Sequence, residues 1–372
     1  MPLPRVTLRI RNARGHLTFF RKMVRKPDDR IEAGALVDVH GPDGEFVGRG
    51  FYNPRSQVAV RILSWTPEDD VLGARLRAAA AFRQSLKLDT DAYRVCHAEG
   101  DGLSGLVVDR YAGVVSVEIF SRGWFLMLDR LRAFFADATL HVAADDEIQR
   151  IEGFRLPAAP PPQGVVVREH GIEFRVDFAT GHKTGFFCDQ RDNRQAVRAL
   201  ADGRDVLDLC CYTGGFALNA LRGGARRVSG VDLDEKALEV ARQNARLNRM
   251  KADFLHADLF NYLRQTKEKF DVVVLDPPKM ARDREELPRA ARAYRDMNQL
   301  ALGALRPDGV LVSCSCSGLV GEEEFLGILR DASRSAGREL RAFRIAGAGP
   351  DHPVSSLHPE GRYLKAVFSR VP

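Results

Sequence analysis

The chain has 372 residues and a mass of 41.4 kDa, a length that predicts two or three domains. Apolar residues make up 45% and charged residues 28%, which excludes collagen-like, coiled-coil and wholly disordered chains. No stretch approaches the roughly 18 uninterrupted apolar residues that span a bilayer, and the first residues form no apolar signal core. We therefore predict a cytoplasmic protein without a membrane partner. The net charge of +6 and the pI of about 9.1 permit a polyanionic partner without proving one.

The cysteine pattern excludes two classes of protein. None of the six cysteines forms a C-x-x-C pair, so we predict no metal site and no thioredoxin-like motif. Six cysteines over 372 residues are also too few for a disulfide framework. The default for each is a buried, reduced thiol that packs as a small apolar side chain.

The first segment, residues 1–67, is strand-rich and basic. Its first 26 residues carry eight basic side chains and no acid. Turn signals separate three runs with β character, which are Ala35–His40, Glu45–Tyr52 and Gln57–Leu63. Because the charge excess is local and of one sign, we favour a surface that contacts backbone phosphates over a merely solvated one.

The second segment, residues 68–186, has a mixed α/β pattern. Its helices are predicted over Val71–Leu88 and Trp124–Ala136. Its strands are predicted over Tyr93–Glu99, Leu106–Tyr111, Val114–Ile119, Val165–Glu169 and Ile172–Asp177. The proline-rich stretch Pro157–Pro162 is interpreted as a spacer that joins two elements of one domain, because the strands after it have no helix of their own to bury against.

The third segment, residues 187–372, alternates strand-length apolar runs with helical patterns. This alternation predicts an α/β fold with a mostly parallel sheet covered by helices on both faces. The strands are predicted over Asp205–Leu209, Arg227–Asp232, Asp253–His256, Phe270–Asp276, Gly309–Ser313 and Tyr363–Phe368. The helices are predicted over Phe216–Leu221, Glu235–Asn248, Asn261–Glu268, Leu287–Leu305 and Glu322–Ala336.

Acidic residues accompany four successive strands of this pattern, and parallel strands place their carboxyl ends on one edge of the sheet. These acids are Asp208, Asp232, Asp258 and Asp276. Each alone is explained by a helix cap or a solvated loop, but four on one edge favour a binding site. Carboxylates can hold a ribose diol, an adenine amine or an amino group, and they repel phosphates. The Gly214-Gly215 turn lacks the dinucleotide fingerprint G-x-G-x-x-G.

Two further features mark this edge as a place for chemistry. Two prolines after Asp276 hold the chain extended, so the Asp276–Lys279 loop presents a rigid polar edge suited to a flat heterocycle. The next strand leads to Cys314 and Cys316, and we expect the outer thiol to reach the cleft. A solvated Lys279 is as compatible with the pattern as one that assists the substrate.

Several motifs resemble those of the S-adenosylmethionine-dependent large-subunit methyltransferases that form 5-methylcytosine in 23S ribosomal RNA. The motifs are D-L-C-C-Y-T-G-G-F at Asp208–Phe216, D-P-P-K at Asp276–Lys279, S-C-S-G-L at Ser315–Leu319, and the segments His182–Arg191, Asp101–Tyr111, Asp351–Pro353, Pro359–Gly361 and Tyr363–Lys365. The resemblance covers nearly the whole chain. It implies an N-terminal PUA domain (1–67), a central α/β domain (68–186) and a Rossmann-like methyltransferase domain (187–372).

The resemblance also implies a substrate, a cofactor and site residues. Cys316 is implied as the nucleophile that adds to carbon 6 of cytosine, with Asp276 on the edge of the ring. S-adenosylmethionine would be bound by Lys183, Thr184, Phe186, Asp208, Tyr212, Thr213, Gly214, Phe216, Asp232, Asp258 and Asp276. The implied partner is 23S ribosomal RNA, with a homodimer as one assembly and the oligomeric state left open. The segment His16–Phe20 lacks a Pro-Trp pair typical of the family, which leaves RNA docking and the target nucleotide open.

Three other functions compete with this interpretation. An exocyclic-amine methyltransferase also uses an Asp-Pro-Pro loop, but an aromatic residue usually follows it where this chain has Lys279, and Cys316 would then be unexplained. A non-catalytic RNA-binding protein of ribosome assembly would need none of the acids at the sheet edge. A small-molecule methyltransferase would not need two accessory domains. The sequence does not identify the base that removes the carbon-5 proton.

Overall fold

The computed structural model describes residues 2–67, 70–179 and 186–372. The chain divides into two compact units, one of Met1–Val165 with Pro350–Gly361 and one of Val166–Gly349 with Arg362–Pro372. The chain therefore returns to the first unit shortly before its C-terminus. Among the described residues, no helix is both long enough and apolar enough to cross a membrane.

The first unit begins with a small sheet in the strand order β1-β3-β4-β5-β2. Its strands are β1 (Arg5–Thr7), β2 (Thr18–Phe20), β3 (Ala35–His40), β4 (Phe46–Tyr52) and β5 (Val58–Ser64). Alternate side chains such as Val37, Val39 and Val60 are fully buried, as expected for strands with one face on a core. The basic side chains of the first 26 residues are all exposed, namely Arg5, Arg9, Arg11, Arg14, Arg21, Lys22, Arg25 and Lys26.

The rest of the first unit packs helices on a second sheet in the order β6-β7-β8-β9. Its elements are α1 (Val71–Ser85), β6 (Ala92–His97), β7 (Leu106–Tyr111), β8 (Val114–Ile119), α2 (Arg122–Leu126), α3 (Leu128–Phe134), β9 (Thr139–Ala143) and α4 (Asp146–Glu152). The single helix predicted over Trp124–Ala136 is two short helices, because the chain leaves helical geometry at Met127. Trp124 is fully buried, and its indole N–H donates to the Ser104 carbonyl at 2.8 Å.

Buried ion pairs anchor the returning segment 350–361 within the first unit. Arg83 donates to both carboxylate oxygens of Asp101 and, at 2.7 Å, to the backbone carbonyl of Asp351. The Asp351 carboxylate accepts from the backbone N–H of Arg94 at 3.0 Å, and the Arg94 guanidinium pairs with Asp109. Two of the sequence motifs, Asp101–Tyr111 and Asp351–Pro353, are thus parts of one polar cluster.

The second unit opens with a hairpin of β10 (Val165–Glu169) and β11 (Ile172–Val176). The expectation that these strands have no helix to pack on is wrong. The backbone N–H groups of Glu173 and Arg175 donate to the side chains of Asn248 and Asn244, at 2.9 Å and 2.7 Å. The hairpin is therefore part of the second unit, although its sequence position suggested the central domain. The three-domain division stays a prediction.

The body of the second unit is a seven-stranded sheet in the order β14-β13-β12-β15-β16-β18-β17. Its strands are β12 (Asp205–Leu209), β13 (Arg227–Asp232), β14 (Asp253–His256), β15 (Phe270–Leu275), β16 (Leu305–Ser315), β17 (Arg341–Ala346) and β18 (Lys365–Val371). Its helices are α5 (Arg191–Ala199), α6 (Gly215–Arg222), α7 (Glu235–Leu247), α8 (Leu259–Gln265), α9 (Leu287–Ala304) and α10 (Glu322–Ala336).

The strand directions confirm the α/β prediction and place the site. In the spatial order of the sheet, the five strands β14, β13, β12, β15 and β16 are parallel. The strand β18 runs antiparallel to both of its neighbours, β16 and β17. Parallel strands buried on both faces consist of near-continuous apolar runs, and Val272–Leu275 is fully buried. Five strand ends therefore meet on one edge, which is where ligands bind in sheets of this kind.

Candidate active site

The predicted site residues follow neighbouring strands of the sheet. Leu209 at the end of β12 pairs with Val231 of β13 on one side and with Leu275 of β15 on the other. On β16, Ser313 pairs with Leu275, and the strand continues two residues beyond that point. Asp232 at the end of β13, Asp276 after β15 and Cys316 after β16 consequently lie along a single edge.

The turn after β12 has an unusual backbone. Cys210, Tyr212 and Gly214 have positive φ angles of 60°, 48° and 82°. Residues other than glycine are rarely held in this region unless their surroundings stabilise it, and such positions concentrate at functional sites. Within this turn, Tyr212 is half-buried and lies beside the exposed ring of Phe187, with ring centroids 5.3 Å apart.

Asp208 lies beneath this turn and is completely buried. One carboxylate oxygen accepts from the backbone N–H of Ala217 at 2.9 Å, while the other has no hydrogen-bond partner among the described residues. Burial raises the pKa of Asp208 well above its ordinary value, and the nearby charges of Asp276 and Asp232 raise it further. A buried carboxyl group with a spare oxygen can receive an N–H or O–H donor at this edge.

Asp232 and Asp258 are both half-buried, and both bind backbone N–H groups. The two oxygens of Asp232 accept from Tyr212 N at 2.8 Å and from Asp234 N at 2.9 Å. Asp232 therefore holds the β12 turn against the end of β13. Asp258 is the N-cap of α8 and accepts from Asn261 N at 3.0 Å. A capping carboxylate still has lone pairs for a ligand, so its helix-capping role does not exclude a second one.

Asp276 occupies the centre of the edge, between the β12 turn and Cys316. Its carboxyl group is half-buried and bonds to the Gln190 side chain. Burial raises the pKa of Asp276 to about 7, and the negative charge of Asp189 adds to this increase. Close to neutral pH the group can therefore exist either as a hydrogen-bond donor or as an acceptor.

The two thiols at the end of β16 differ in their surroundings. Cys314 is completely buried, and burial raises the pKa of its thiol well above the ordinary value. Cys316 is half-buried, and its Sγ lies 3.9 Å from the carbonyl oxygen of Pro277 in the Asp-Pro-Pro loop. Of the two, the outer thiol is the one that solvent reaches. That this thiol also reaches the cleft stays a prediction.

Hydrogen bonds hold the residues on either side of Cys316. The hydroxyl of Tyr294 lies 3.0 Å from Ser317 Oγ and accepts from Ser315 Oγ at 3.1 Å. Ser317 Oγ also accepts from the backbone N–H of Met280, just after the Asp-Pro-Pro-Lys stretch, at 3.0 Å. The thiol therefore projects from a loop that is fastened to both α9 and the loop after β15.

The remaining predicted residues divide into four groups. Thr213 and Phe216 are buried in the β12 turn and the first turn of α6. Phe186 is buried between Phe174 and the guanidinium of Arg194, so the contacts found for it are packing contacts. Lys183 and Thr184 lie outside the described residues. Lys279 is exposed, so the structure assigns it no contact at the edge.

Sequence patterns missed three residues that complete this arrangement. Asp189 accepts a hydrogen bond from the Tyr363 hydroxyl at 2.5 Å, and its neighbour Gln190 bonds to Asp276. Lys365 is almost completely buried, and its ammonium group donates to the carbonyl of Ser317 at 2.7 Å. Asp189 and Gln190 belong to the segment His182–Arg191, and Lys365 to Tyr363–Lys365, so these motifs were the available signal.

The Gly214→Ala substitution is expected to destabilise the β12 turn and to weaken the binding of any ligand held by that turn. Gly214 has a φ of 82°, and an added Cβ would lie 3.1 Å from the Phe254 ring and 3.3 Å from Ala241 Cβ. We expect a loss of about 1–2 kcal/mol in the free energy of unfolding, measured by urea titration. Gly203→Ala is the matched control, since it also has positive φ but meets nothing within 4 Å. An equal loss in both variants would attribute the effect to backbone conformation alone.

Comparisons with known proteins agree with this geometry. Residues 156–353 match the model of a family described as S-adenosylmethionine-dependent methyltransferases, and residues 9–65 match a PUA-like domain. The chain belongs to the S-adenosylmethionine-dependent methyltransferases. The match spans the β12 turn, Asp232, Asp276 and Cys316. The PUA-like match confirms the predicted PUA-like domain at the N-terminal end of the chain.

Curated relatives of this methyltransferase carry the name ribosomal RNA large subunit methyltransferase I. The protein from Aeromonas hydrophila is 38% identical over 379 residues, and the alignment covers 96% of each chain. The protein from Escherichia coli strain K12 / MC4100 / BW2952 is 35% identical with the same coverage. The similarity therefore extends over nearly the whole chain.

Solved structures confirm the fold. A methyltransferase designated SMU.776, crystallised with SAH, has a TM-score of 0.81 at 19% identity and covers all of both chains. A S-adenosylmethionine-dependent methyltransferase from Streptococcus mutans has a TM-score of 0.80 at 18% identity, over 99% of this chain and 100% of that one. S-adenosylmethionine is accordingly the cofactor of this methyltransferase. The edge suits it, since the spare oxygen of Asp208 and the carboxylates nearby offer acceptors to its amino and hydroxyl groups.

Proposed function

We propose that this methyltransferase forms 5-methylcytosine in 23S ribosomal RNA through a covalent adduct with Cys316. The observation that carries the proposal is the half-buried thiol of Cys316, whose Sγ lies 3.9 Å from the Pro277 carbonyl at the edge that also holds Asp276. A methyltransferase that acts on an exocyclic amine needs no thiol there. The relatives named ribosomal RNA large subunit methyltransferase I support ribosomal RNA as the substrate.

Carbon 5 of cytosine is a poor nucleophile toward a methyl donor. The reaction therefore requires a nucleophile of the enzyme that first adds to the ring and activates carbon 5. The thiolate of Cys316 forms a bond to carbon 6, and the displaced electron pair makes carbon 5 nucleophilic. S-adenosylmethionine supplies the electrophilic methyl group. Transfer of the carbon-5 proton to a water molecule then restores the double bond and expels the thiolate. Only the thiolate is competent in the first step, so its surroundings must favour that form.

Asp276 is proposed to hold the edge of the cytosine ring. Because burial raises the pKa of Asp276 to about 7, its carboxyl group can donate a proton to a ring nitrogen that gains charge during the addition. The bond from Gln190 fixes the orientation of the carboxyl group. A base for the carbon-5 proton is not assigned to any residue.

The cofactor is proposed to lie along the edge from the β12 turn to β14. Asp232 would hold the ribose and Asp258 would lie near the adenine, while the turn would surround the methionine portion. The proposed cofactor-binding residues are Lys183, Thr184, Phe186, Asp208, Tyr212, Thr213, Gly214, Phe216, Asp232, Asp258 and Asp276. Carboxylates at these positions match a ligand that has an amino group and hydroxyl groups but no phosphate.

Bisulfite mapping of ribosomal RNA tests the substrate and the product together. The comparison is between cells with the gene, cells without it, and deleted cells that express the Cys316→Ala variant. We expect one 5-methylcytosine in 23S ribosomal RNA to be lost on deletion and not restored by the variant. An unchanged map after deletion would contradict the substrate. Restoration by Cys316→Ala would instead favour an exocyclic-amine methyltransferase.

The exposed basic side chains of the first 26 residues are proposed to bind RNA phosphates. A Lys22→Glu and Lys26→Glu double variant is expected to bind a 23S fragment at least about tenfold more weakly, with a shallower dependence of affinity on salt. Lys251→Glu with Lys267→Glu is the matched control, because it makes the same charge change at exposed positions of the second unit. Fluorescence anisotropy over a salt series measures both. Equal losses in the two variants would indicate nonspecific electrostatics.

A further inference from the structure

Lys365 is a buried cation whose hydrogen-bond acceptors are uncharged. It is the first residue of β18, it pairs with Ser315 of β16, and its side chain is almost completely buried. Its Nζ donates to the carbonyl oxygens of Ser317 and Tyr363, each at 2.7 Å. Across residues 2–67, 70–179 and 186–372, no carboxylate contacts this ammonium group.

Burial of such a group carries a cost that two carbonyls offset only in part. Desolvation lowers the pKa of Lys365 to about 8, so part of the population loses its charge in the neutral to mildly alkaline range. An ammonium has three donors, and only two are used here. Lysine is seldom buried to this degree without a countercharge, so a nearby anion is expected when the site works.

One of the two acceptors of Lys365 adjoins the thiol residue Cys316 in the chain. Cys316 immediately precedes Ser317, whose carbonyl accepts from Lys365 Nζ. A negative charge on the Cys316 thiol raises the pKa of Lys365, which means that the thiolate and the ammonium attract each other. Attraction between two groups is reciprocal, so the ammonium favours the thiolate to the same extent.

We propose that Lys365 is the positioning residue that stabilises the thiolate of Cys316. The step is a proton transfer in which the S–H bond breaks and the proton passes to the neutral amine of Lys365 or to water, leaving an ammonium–thiolate pair. No further reactant is needed. The catalytic consequence rests on the proposed function, in which that thiolate adds to the cytosine, whereas the ion pair itself does not.

In the part of the chain that the structure describes, other charged and titratable groups lie near this pair or near the neighbouring Asp276. They are Asp189 before α5, Asp276 after β15, Tyr294 of α9, Cys314 of β16, Glu322 and Glu324 of α10, and Arg362 before β18. Once the Asp276 carboxyl group is ionised, its negative charge disfavours a thiolate at Cys316. Glu322 forms an ion pair with Arg362 at 2.6 Å. Glu322 and Glu324 raise the pKa of Lys365 and so help to keep it charged. Among these groups of the described residues, Lys365 is the cation that bonds beside Cys316, since Arg362 is paired with Glu322.

The pH dependence of Cys316 alkylation tests this proposal without any methyl transfer. The full-length protein is treated with iodoacetamide over a pH series, and labelling of Cys316 is quantified by peptide mass spectrometry. Wild type is compared with Lys365→Met, and S-adenosylmethionine binding by calorimetry verifies that each variant is folded. Lys279→Met is the matched control, because it removes the same charge from an exposed position in the Asp-Pro-Pro-Lys loop.

We expect the midpoint of alkylation in wild type to lie below that of an ordinary thiol, about pH 8.5. Lys365→Met should move the midpoint upward by roughly one pH unit or more, and Lys279→Met should leave it in place. Equal midpoints in wild type and Lys365→Met would overturn the proposal. If Lys365→Met does not fold, a wild-type midpoint at or above about pH 8.5 overturns it by itself.

Failure of the ion pair and failure of the proposed function give different results. If the midpoint depends on Lys365 but Cys316→Ala still methylates RNA, the ion pair stands and the covalent mechanism falls. If Cys316→Ala is inactive but the pH midpoint of Cys316 alkylation is the same in wild type and Lys365→Met, only the role of Lys365 is contradicted. A Lys365→Arg variant that restores the low midpoint would further support a charge effect over a packing effect.

Discussion

Replacing Cys316 with alanine is expected to abolish methyl transfer while leaving cofactor binding intact. The thiol is the proposed nucleophile, and removal of a nucleophile typically costs roughly 10³-fold or more in turnover. The cofactor is proposed to lie along the β12 turn, Asp232 and Asp258, whereas Cys316 Sγ lies 3.9 Å from the Pro277 carbonyl oxygen after β15. Methyl incorporation into a 23S fragment measures the first effect, and calorimetric titration with S-adenosylmethionine measures the second.

Cys314→Ala is the matched control for this experiment. Cys314 is a thiol two residues away on the same strand, but it is completely buried and its pKa is raised well above the ordinary value. We expect it to retain turnover within a few-fold of wild type and to lose a modest amount of stability. An inactive Cys314→Ala beside an active Cys316→Ala would contradict the proposal and identify Cys314 as the nucleophile. Two active variants would remove the covalent mechanism altogether.

The strand ends could be predicted from sequence because short-range signals determine them. The apolar runs before Cys210, Asp232 and Asp276 are bounded by polar or turn residues, so each strand was placed to within a residue or two. The topology of parallel strands then dictates that their carboxyl ends share an edge. The prediction that Cys316 is more accessible than Cys314 follows from the same reasoning.

Elements with no clear hydrophobic period were missed. β17, Arg341–Ala346, is largely exposed along its length and carries no buried alternation that a pattern could reveal. The helix α5 (Arg191–Ala199) buries Arg191, Asn193 and Arg194. Polar side chains of these types predict an exposed surface, so the sequence pattern gave no sign of a buried helix. Arg194 is buried because it pairs with Glu169 of the hairpin at 2.7 Å and 2.8 Å, a contact between residues 25 positions apart.

The polar network around the nucleophile was also beyond the reach of sequence patterns. Lys365 and Ser317 are 48 residues apart, and Tyr363 and Asp189 are 174 residues apart. Such pairs form only once the antiparallel strand β18 is placed beside β16. Helix capping by Asp258 was anticipated as an alternative to ligand binding, and the structure contains the cap. Local rules thus predict helix caps well and long-range hydrogen bonds poorly.

The Asp276→Asn substitution is expected to increase stability at neutral pH while lowering turnover. An unfolded aspartate has a pKa near 3.9, whereas burial raises the pKa of Asp276 to about 7 in the folded protein. The folded state therefore holds this proton more tightly. Wild type should lose stability as pH rises from about 4 to 7 and then level off. Asparagine has no charge to bury, so the stability advantage of the variant should grow by about 2 kcal/mol between about pH 5 and 8.

Turnover should fall roughly 10²-fold in this variant, because the amide cannot give up a proton to the ring. Asp232→Asn is the matched control for stability. Its carboxylate accepts from Tyr212 N and Asp234 N on two different oxygens, and an amide retains only one acceptor. That variant should therefore be less stable than wild type, the opposite sign from Asp276→Asn. Urea unfolding at several pH values measures both, and a pH-independent difference for Asp276→Asn would show that its carboxyl group does not titrate near neutrality. The two opposite signs would separate a carboxylate that holds the backbone in place from one that is kept at an energetic cost for chemistry.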